Sequence, residues 1–598
     1  MSGLKNVDNT RTALQFIVSG DSGPVGRPLA LASFLPHAES MDANARPFIQ
    51  FNILLHLLNA CILAWFLYCL CLIRKTKKNT ALFIAVTSAA IWMLMPLLAS
   101  ASLLIVQRMT TLSATFMLFS SVAYLYARRS IENDTNKALT RMSLALLIGT
   151  TLAILTKENG ALLPTLVLAM EATILDRPIS ISLKKWRIWR FTFLMVPTLL
   201  ILGYLATRVP YPEELILRRD YSGWERLLTE SRILWEYLIN AFVPRPSQFG
   251  PFHDAYPVAR TILNPLTFTA VFGWIVIASL ALLWRRRYPI FSFAILWFLA
   301  GHLLESTVVP LELYFEHRNY VPIIAPIFAI CFLAVHTPIR RKAIAYIGLP
   351  LYALVNAASL AGLTSLWGQP AVAAHFWHER QPDSGRAATH LASYYLAIHG
   401  RDRAIDAVHE FARAQPNDGY LLLQQLNLRC AFTPDGDHHA LVSRLTLSLP
   451  DIHFTYSSAS VLSLLATNVS SGKCNDVDLT TVKMLAQTVL RNPRYAKDVM
   501  YNQIHHQIMA QVANLQGNHE DAIDHLKMAI SIRPDSEINT KVVTSFAAMG
   551  RFEQARSFIE KARANAPLNP LKRYEWISNL DDLNIYIDEI EQQTDFEN

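Results

Sequence analysis

Within "GHLLESTVVPLELYFEHRNY" stand His302, Glu305, Glu312, Glu316, His317 and Arg318, all able to move protons or hold charged groups. Three further stretches carry the same residue types among apolar neighbours: Arg27 in "SGPVGRP", Gln107 and Arg108 in "LIVQRMTTL", and Lys157 and Glu158 in "ILTKENGALLP". An arginine fork holds a phosphate through paired, charge-assisted hydrogen bonds. A carboxylate can take the proton of an attacking hydroxyl. Together they suit a group transfer in which a phosphate departs with growing negative charge and fixed cations stabilise it. The histidines and glutamates of 302–317 follow no ligand spacing such as HExxH, so neither a divalent metal nor another cofactor is expected.

Composition says which elements must position these residues. Of 598 residues, 52% are apolar and 17% charged, too oily for a soluble chain and too charged for one lying wholly in lipid. Apolar runs of membrane-crossing length occupy about 47–73, 80–106, 110–127, 141–157, 160–176, 190–208, 266–285, 289–305, 319–337 and 343–365. They predict ten spans, with Pro96 kinking the second or breaking it into a re-entrant pair. The net charge of +8 sits in short clusters between the runs, unlike a nucleic-acid-binding surface. Basic loops at 74–78, 127–141, 183–190, 284–287 and 339–342 alternate along the chain, so the positive-inside rule assigns them to the cytoplasm. The other loops, including the long one at 209–264, and both termini then face outward, into the periplasm of a bacterial inner membrane. All four chemistry-bearing stretches fall on that side.

Asn52, His56 and Asn59 share one helical face, a polar stripe that either lines a site or bonds neighbouring helices. Of the six cysteines, only Cys430 and Cys474 lie outside apolar runs. An oxidising compartment permits a disulfide between them without requiring one.

Beyond about residue 367 the apolar runs stop. "GNHEDAIDHLKMAISIRPDS" from Gly517 aligns with "GRFEQARSFIEKARANAPLN" from Gly550, glycine, alanine and proline each recurring 33 residues on, and a weaker copy starts at Gly400. The pattern resembles the tetratricopeptide repeat, which implies stacked helix pairs with a concave surface for extended peptides or partner proteins. The expected organisation is all-α: an outer N-terminal loop over 1–46, a polytopic membrane helical bundle over 47–366 and a soluble α-solenoid of repeats over 367–598.

"SGPVGRPLALASF", "FNILLHLLNA", "MPLLASASLLIVQRM", "LTKENGALLPTLV" and "ESTVVPLELYFEHRNYVP" occur in that order, followed by the repeats. In this the chain resembles the bacterial multi-span GT-C glycosyltransferases with a periplasmic tetratricopeptide domain. They are relatives of the transmembrane-and-TPR O-mannosyltransferases, and some are similar to pilin glycosyltransferases. The resemblance covers about residues 15–365. It implies a GT-C-like bundle and inverting transfer of a sugar from a polyprenyl-phosphate donor to a hydroxyl of a periplasmic protein, a type IV pilin among the acceptors. Carried over by motif, Arg27, Arg108 and Arg318 are candidates for holding the donor phosphate. Asn52, His56, Asn59, Gln107, Lys157, His302, Glu305, Glu316 and His317 would support them, and Glu158 is a candidate catalytic carboxylate. The family places its catalytic acid early in an outer loop that follows a first helix. The expectation here is that this acid lies upstream of Met1 or that Asp21 or Asp8 takes its place.

Two other readings compete. One is a non-enzymatic membrane scaffold, or a truncated inactive relative, recruiting partners through its repeats. The other is an O-antigen polymerase or ligase, which shares the spans and outer loops but has no need of peptide-binding repeats. A transporter is disfavoured because the spans show no internal repeat.

Overall fold

Prolines, basic turns and polar stretches cut the apolar sequence into helices. Helices are the only regular structure among the described residues of the computed structural model. It describes residues 2–597 except 21, 41–43, 246, 247, 337, 338, 399, 434, 454 and 456. The chain divides into two compact units, 1–211 with 221–369 and 212–220 with 370–598.

In the first unit every predicted apolar run contains a helix, but the lengths are unequal. Arg46–Ile73, Thr135–Ile154, Leu183–Ala206, Pro265–Leu283 and Ala345–Trp367 are long and apolar enough to cross a membrane. A sixth span is reached if Lys78–Met93 and Pro96–Leu103, bent by 58° at the break before Pro96, count as one. A proline in mid-run removes a helix hydrogen bond and clashes with the preceding turn, which accounts for the bend. By length and composition five or six spans thus stand in place of the expected ten. Of the four runs that fall short, Arg108–Arg129 is long enough but carries too many serines, threonines and other polar residues. The other three are stopped by polar turns: Leu163–Thr173 follows the turn at Lys157, Pro289–His302 ends at its histidine, and Ile324–Val335 follows Glu316–Asn319. Leu54, Leu147, Ile148, Leu200, Phe268 and Leu354 project outward, each more than half exposed, as side chains facing lipid do. One further helix, Gly223–Phe242, is amphipathic. Ser222 and Glu225 close a capping box at its start, and it buries Arg226, Glu230, Tyr237 and Asn240.

The second unit is a succession of helices from Pro370–Arg380 to Pro570–Glu597. Its two aligned copies share a turn atom for atom. Gly517 and Gly550 take φ +78° and +69°. The next residues, Asn518 and Arg551, donate their N–H groups to the Ala513 and Phe546 carbonyls at 2.9 and 3.0 Å. This left-handed helix ending is open to glycine without steric penalty. The recurring alanines Ala522, Ala529, Ala555 and Ala562 are all buried, so small side chains let the helices of each copy approach closely. Cys430 and Cys474 are joined by a disulfide. The short helix Glu213–Arg219 belongs to this unit, although the sequence assigns its loop to the membrane domain. Lys497 Nζ lies 2.5 Å from Glu213 Oε1, and Arg494 Nη2 lies 3.2 Å from Asp220 Oδ1.

Candidate functional site

Glycine at position 23 lets the turn-rich stretch 19–34 meet the turn after Thr135–Ile154. Gly23 has φ +70°, and a Cβ there would lie 1.7 Å from Glu158 Oε1. Arg27 is also left-handed, at φ 57°, which is uncommon for a residue with a side chain. It heads the short helix Pro28–Ala32, and the Leu29 N–H donates to the Leu155 carbonyl at 3.0 Å. The guanidinium meets Glu158 side-on with one edge, Nη2 to Oε2 at 2.8 Å and Nε to Oε1 at 3.1 Å. The pair is partly exposed, at 21% and 29% of the two side chains.

Lys157, one residue earlier, is buried. Its ammonium lies 2.7 Å from Glu305 Oε1 and donates to Thr110 Oγ1 at 3.0 Å, and Thr110 donates onward to Gln107 Oε1 at 2.8 Å. Arg318 donates to the carbonyls of Leu313 and Glu312 and lies 3.5 Å from Glu230 Oε1. Glu230 also receives Arg226 Nη2 at 2.6 Å. Glu316 accepts from the Gly250 N–H at 3.2 Å and from His253 Nε2 at 2.7 Å. His302 stacks on Tyr237, 5.6 Å between ring centres, with Nδ1 3.2 Å from Ser306 Oγ. These charges are buried, and each has a partner of opposite sign, as ions removed from water require.

The surroundings set the protonation states outside the spans. Burial works to discharge His253, but Glu316 beside it prevails and holds its pKa above the ordinary value. Burial, then Lys157, pushes His317 well below its ordinary value, so that ring is neutral. Burial raises Glu230 despite Arg226 and Arg318. Among the buried atoms without a hydrogen-bond partner are Glu230 Oε2, His302 Nε2, Glu305 Oε2 and His317 Nδ1. Thr110, Lys157, Asn159, His317, Arg318 and Tyr320 line a cavity of about 20 Å³, which holds roughly one water.

A second network closes beside this one. Arg108 is fully buried and donates to Asn52 Oδ1 at 2.8 Å, the Ser33 carbonyl at 2.7 Å and the Phe48 carbonyl at 3.1 Å. Its guanidinium carbon also lies 4.2 Å from the Phe34 ring centre and 4.5 Å from that of Phe51. His56 lies 3.0 Å from the Met93 carbonyl through Nε2 and 2.8 Å from the Tyr320 hydroxyl through Nδ1. Because a carbonyl can only accept, Nε2 carries the proton and the Tyr320 hydroxyl donates to Nδ1. Asn59 donates to the Thr111 carbonyl and the Tyr320 hydroxyl.

The structure therefore brings together Arg27 with Glu158, and Lys157 with Glu305, His317 and Arg318. Glu316 and His302 stand on the flanks, and Gln107 supports Thr110. Asn52, His56 and Asn59 bond neighbouring helices, and every nitrogen of Arg108 is occupied by a protein oxygen instead of facing an open site. Asp21 lies outside the described residues. Asp8 accepts from the exposed Thr12 hydroxyl at 2.8 Å, beside Asn9, which caps the helix Thr10–Val18. Arg226, Glu230 and His253 were not singled out from sequence. The spacing of Arg226 and Glu230, four apart on an amphipathic outer helix, was the available signal. The chain matches no protein-family model and no curated protein sequence.

Proposed function

We propose that this protein is a GT-C-type membrane glycosyltransferase, moving a sugar from a polyprenyl phosphate to a hydroxyl of a protein at the outer face of the bacterial inner membrane. In this reading the second unit is a tetratricopeptide-like solenoid that holds the acceptor, a pilin or another periplasmic protein. The bidentate Arg27–Glu158 pair carries the reading. A donor phosphate competes for the same arginine fork, and its arrival releases Glu158 to act as base. The acceptor oxygen then attacks the anomeric carbon from the face opposite the phosphate, and its proton passes to Glu158. The carbon–oxygen bond to phosphate breaks with inversion, and the bonding pair leaves on the phosphate. Arg27, with Lys157 and Arg318 behind it, stabilises the departing charge. These cations supply the charge that is needed, so the reading invokes no metal. A cavity for about one water does not admit a sugar, so donor entry requires this closed arrangement to open, and the phosphate reaches the Arg27 fork only when its contact with Glu158 parts.

The closed cavity and the full occupation of Arg108 favour a second reading, a membrane scaffold that recruits partners through its solenoid. Intact-mass comparison of outer-face and pilus proteins separates the two, using cells with the gene, without it, and with Arg27→Ala or Glu158→Gln copies. A sugar-sized mass lost on deletion and in both variants supports the transferase. No mass change on deletion overturns it and leaves the scaffold. Loss on deletion but retention in both variants overturns the roles given to Arg27 and Glu158.

A further inference from the structure

At the basic side of the first unit, at the opposite end of Pro289–His302 from the candidate site's His302, Arg74, Trp284, Arg287 and Tyr288 share an open groove of about 720 Å³ with the apolar side chains of Phe291 and Leu333. Arg74 caps Arg46–Ile73, and the other residues surround the start of Pro289–His302. Both helices are apolar, so the groove lies where a span leaves the hydrocarbon. Arg287 lies over the Tyr288 ring at 5.5 Å, and Trp284 meets that ring edge-on at 5.6 Å. Tryptophan and tyrosine favour this depth because their rings have an apolar body and a polar edge.

The charge of the groove is uncompensated. Arg74 Nε is buried without a hydrogen-bond partner. Its ion partner Asp176 stands 4.0 Å away with 87% of its side chain exposed, a pairing too loose and too wet to neutralise it. Lys75, Lys77, Lys78, Arg285 and Arg286 add to the positive field. Below the arginines the surface turns apolar and continues into Leu282, Leu283 and Ile330, each close to half exposed or more. A soluble phosphate would use only the arginines, whereas a lipid with an anionic headgroup uses both parts.

We propose that this groove binds an anionic phospholipid, its phosphate between Arg74 and Arg287 and its acyl chains along Phe291 and Leu333. The test uses the full-length protein in neutral detergent, with lipid retention read by native mass spectrometry and stability by thermal unfolding. Phosphatidylglycerol is offered against phosphatidylcholine of the same chains, with glycerol 3-phosphate as a soluble probe. The expected result is retention of phosphatidylglycerol with a raised unfolding temperature, and no comparable effect of the other two. In Arg74→Gln/Arg287→Gln the apparent affinity should fall about thirty-fold, the combined contribution of two basic groups near an anionic lipid. Arg285→Gln/Arg286→Gln, outside the groove, should lose much less.

Equal retention of both lipids by the unaltered protein overturns the proposal, whatever the variants do. So does an equal loss in the two double variants, which would mean diffuse attraction, or binding of glycerol 3-phosphate as tight as that of the lipid.

Discussion

Two buried polar networks lie side by side in the membrane unit, joined through Thr110, Gln107 and Tyr320, and they are finished differently. The donating side-chain nitrogens of Arg108, Asn52, His56 and Asn59 all end on protein oxygens, the Tyr320 hydroxyl donates to His56 Nδ1, and none of these four residues has a buried polar atom left over. Around Lys157, Glu305, His317 and Arg318 the charges are paired, but Glu305 Oε2 and His317 Nδ1 remain without partners and a small cavity opens against Lys157, His317 and Arg318. A fully satisfied network specifies packing. Buried polar atoms without partners call for water or a ligand. Equal burial therefore hides unequal roles, and among the arginines Arg27 and Arg318 stay with the second network while Arg108 belongs to the first.

The sharpest way to break this contrast is Arg108→Ala. It strands Asn52 Oδ1 and two buried carbonyls, and should destabilise the protein by about 4 kcal/mol, read as a fall in thermal unfolding temperature in detergent. Unchanged stability would remove the structural role assigned to it. Lys157→Met should lose about 3 kcal/mol by leaving Glu305 buried and unpaired, and Lys157→Met with Glu305→Leu should recover most of that loss. Additive losses in the double variant would mean that the two do not act as a pair. Tyr320→Phe removes one hydroxyl from the closed network and should cost about 1–2 kcal/mol, read in the same unfolding measurement.

The flank should respond to pH. The folded pKa of His253 is raised, so its contribution is fully present below the ordinary value of 6.5 and is lost as pH rises through the higher folded value. Unfolding temperature should therefore fall more steeply above about pH 6.5 in the parent than in His253→Gln; parallel profiles would remove the pair from the account. The smallest expected change in stability is that of Arg27→Ala, no more than about 1 kcal/mol because the pair is partly exposed. Its effect on the transfer proposed above should nevertheless be large, and a variant that keeps it would overturn the role given to Arg27.

Much of this arrangement was legible along the chain. Hydropathy marked the helices, Pro96 marked the bend, and the 33-residue recurrence marked two copies that the structure ends with the same turn hydrogen bonds. The charged stretches predicted a meeting of distant segments, and Arg27 and Glu158, 131 residues apart, do meet. Span number was less legible, because a sliding count of apolar residues overlooks a helix that starts only after the turn at Lys157 or stops at His302. Glu213 and Asp220 were also hidden in a loop whose unit is set by Arg494 and Lys497.

By itself, then, the sequence determined the helical class, the apolar faces, the repeat and the residue types available for chemistry, because propensity and periodicity act over a few neighbouring positions. Only the tertiary structure decided which of these residues are spent on packing. Arg108 and Arg318 are the same amino acid beside similar apolar runs. What separates them is which oxygens, from Asn52, Ser33 and Phe48 in one case and Glu230 and Leu313 in the other, come within hydrogen-bond reach. That reach is a property of positions in space, and hydrogen-bond satisfaction in a buried site is settled there.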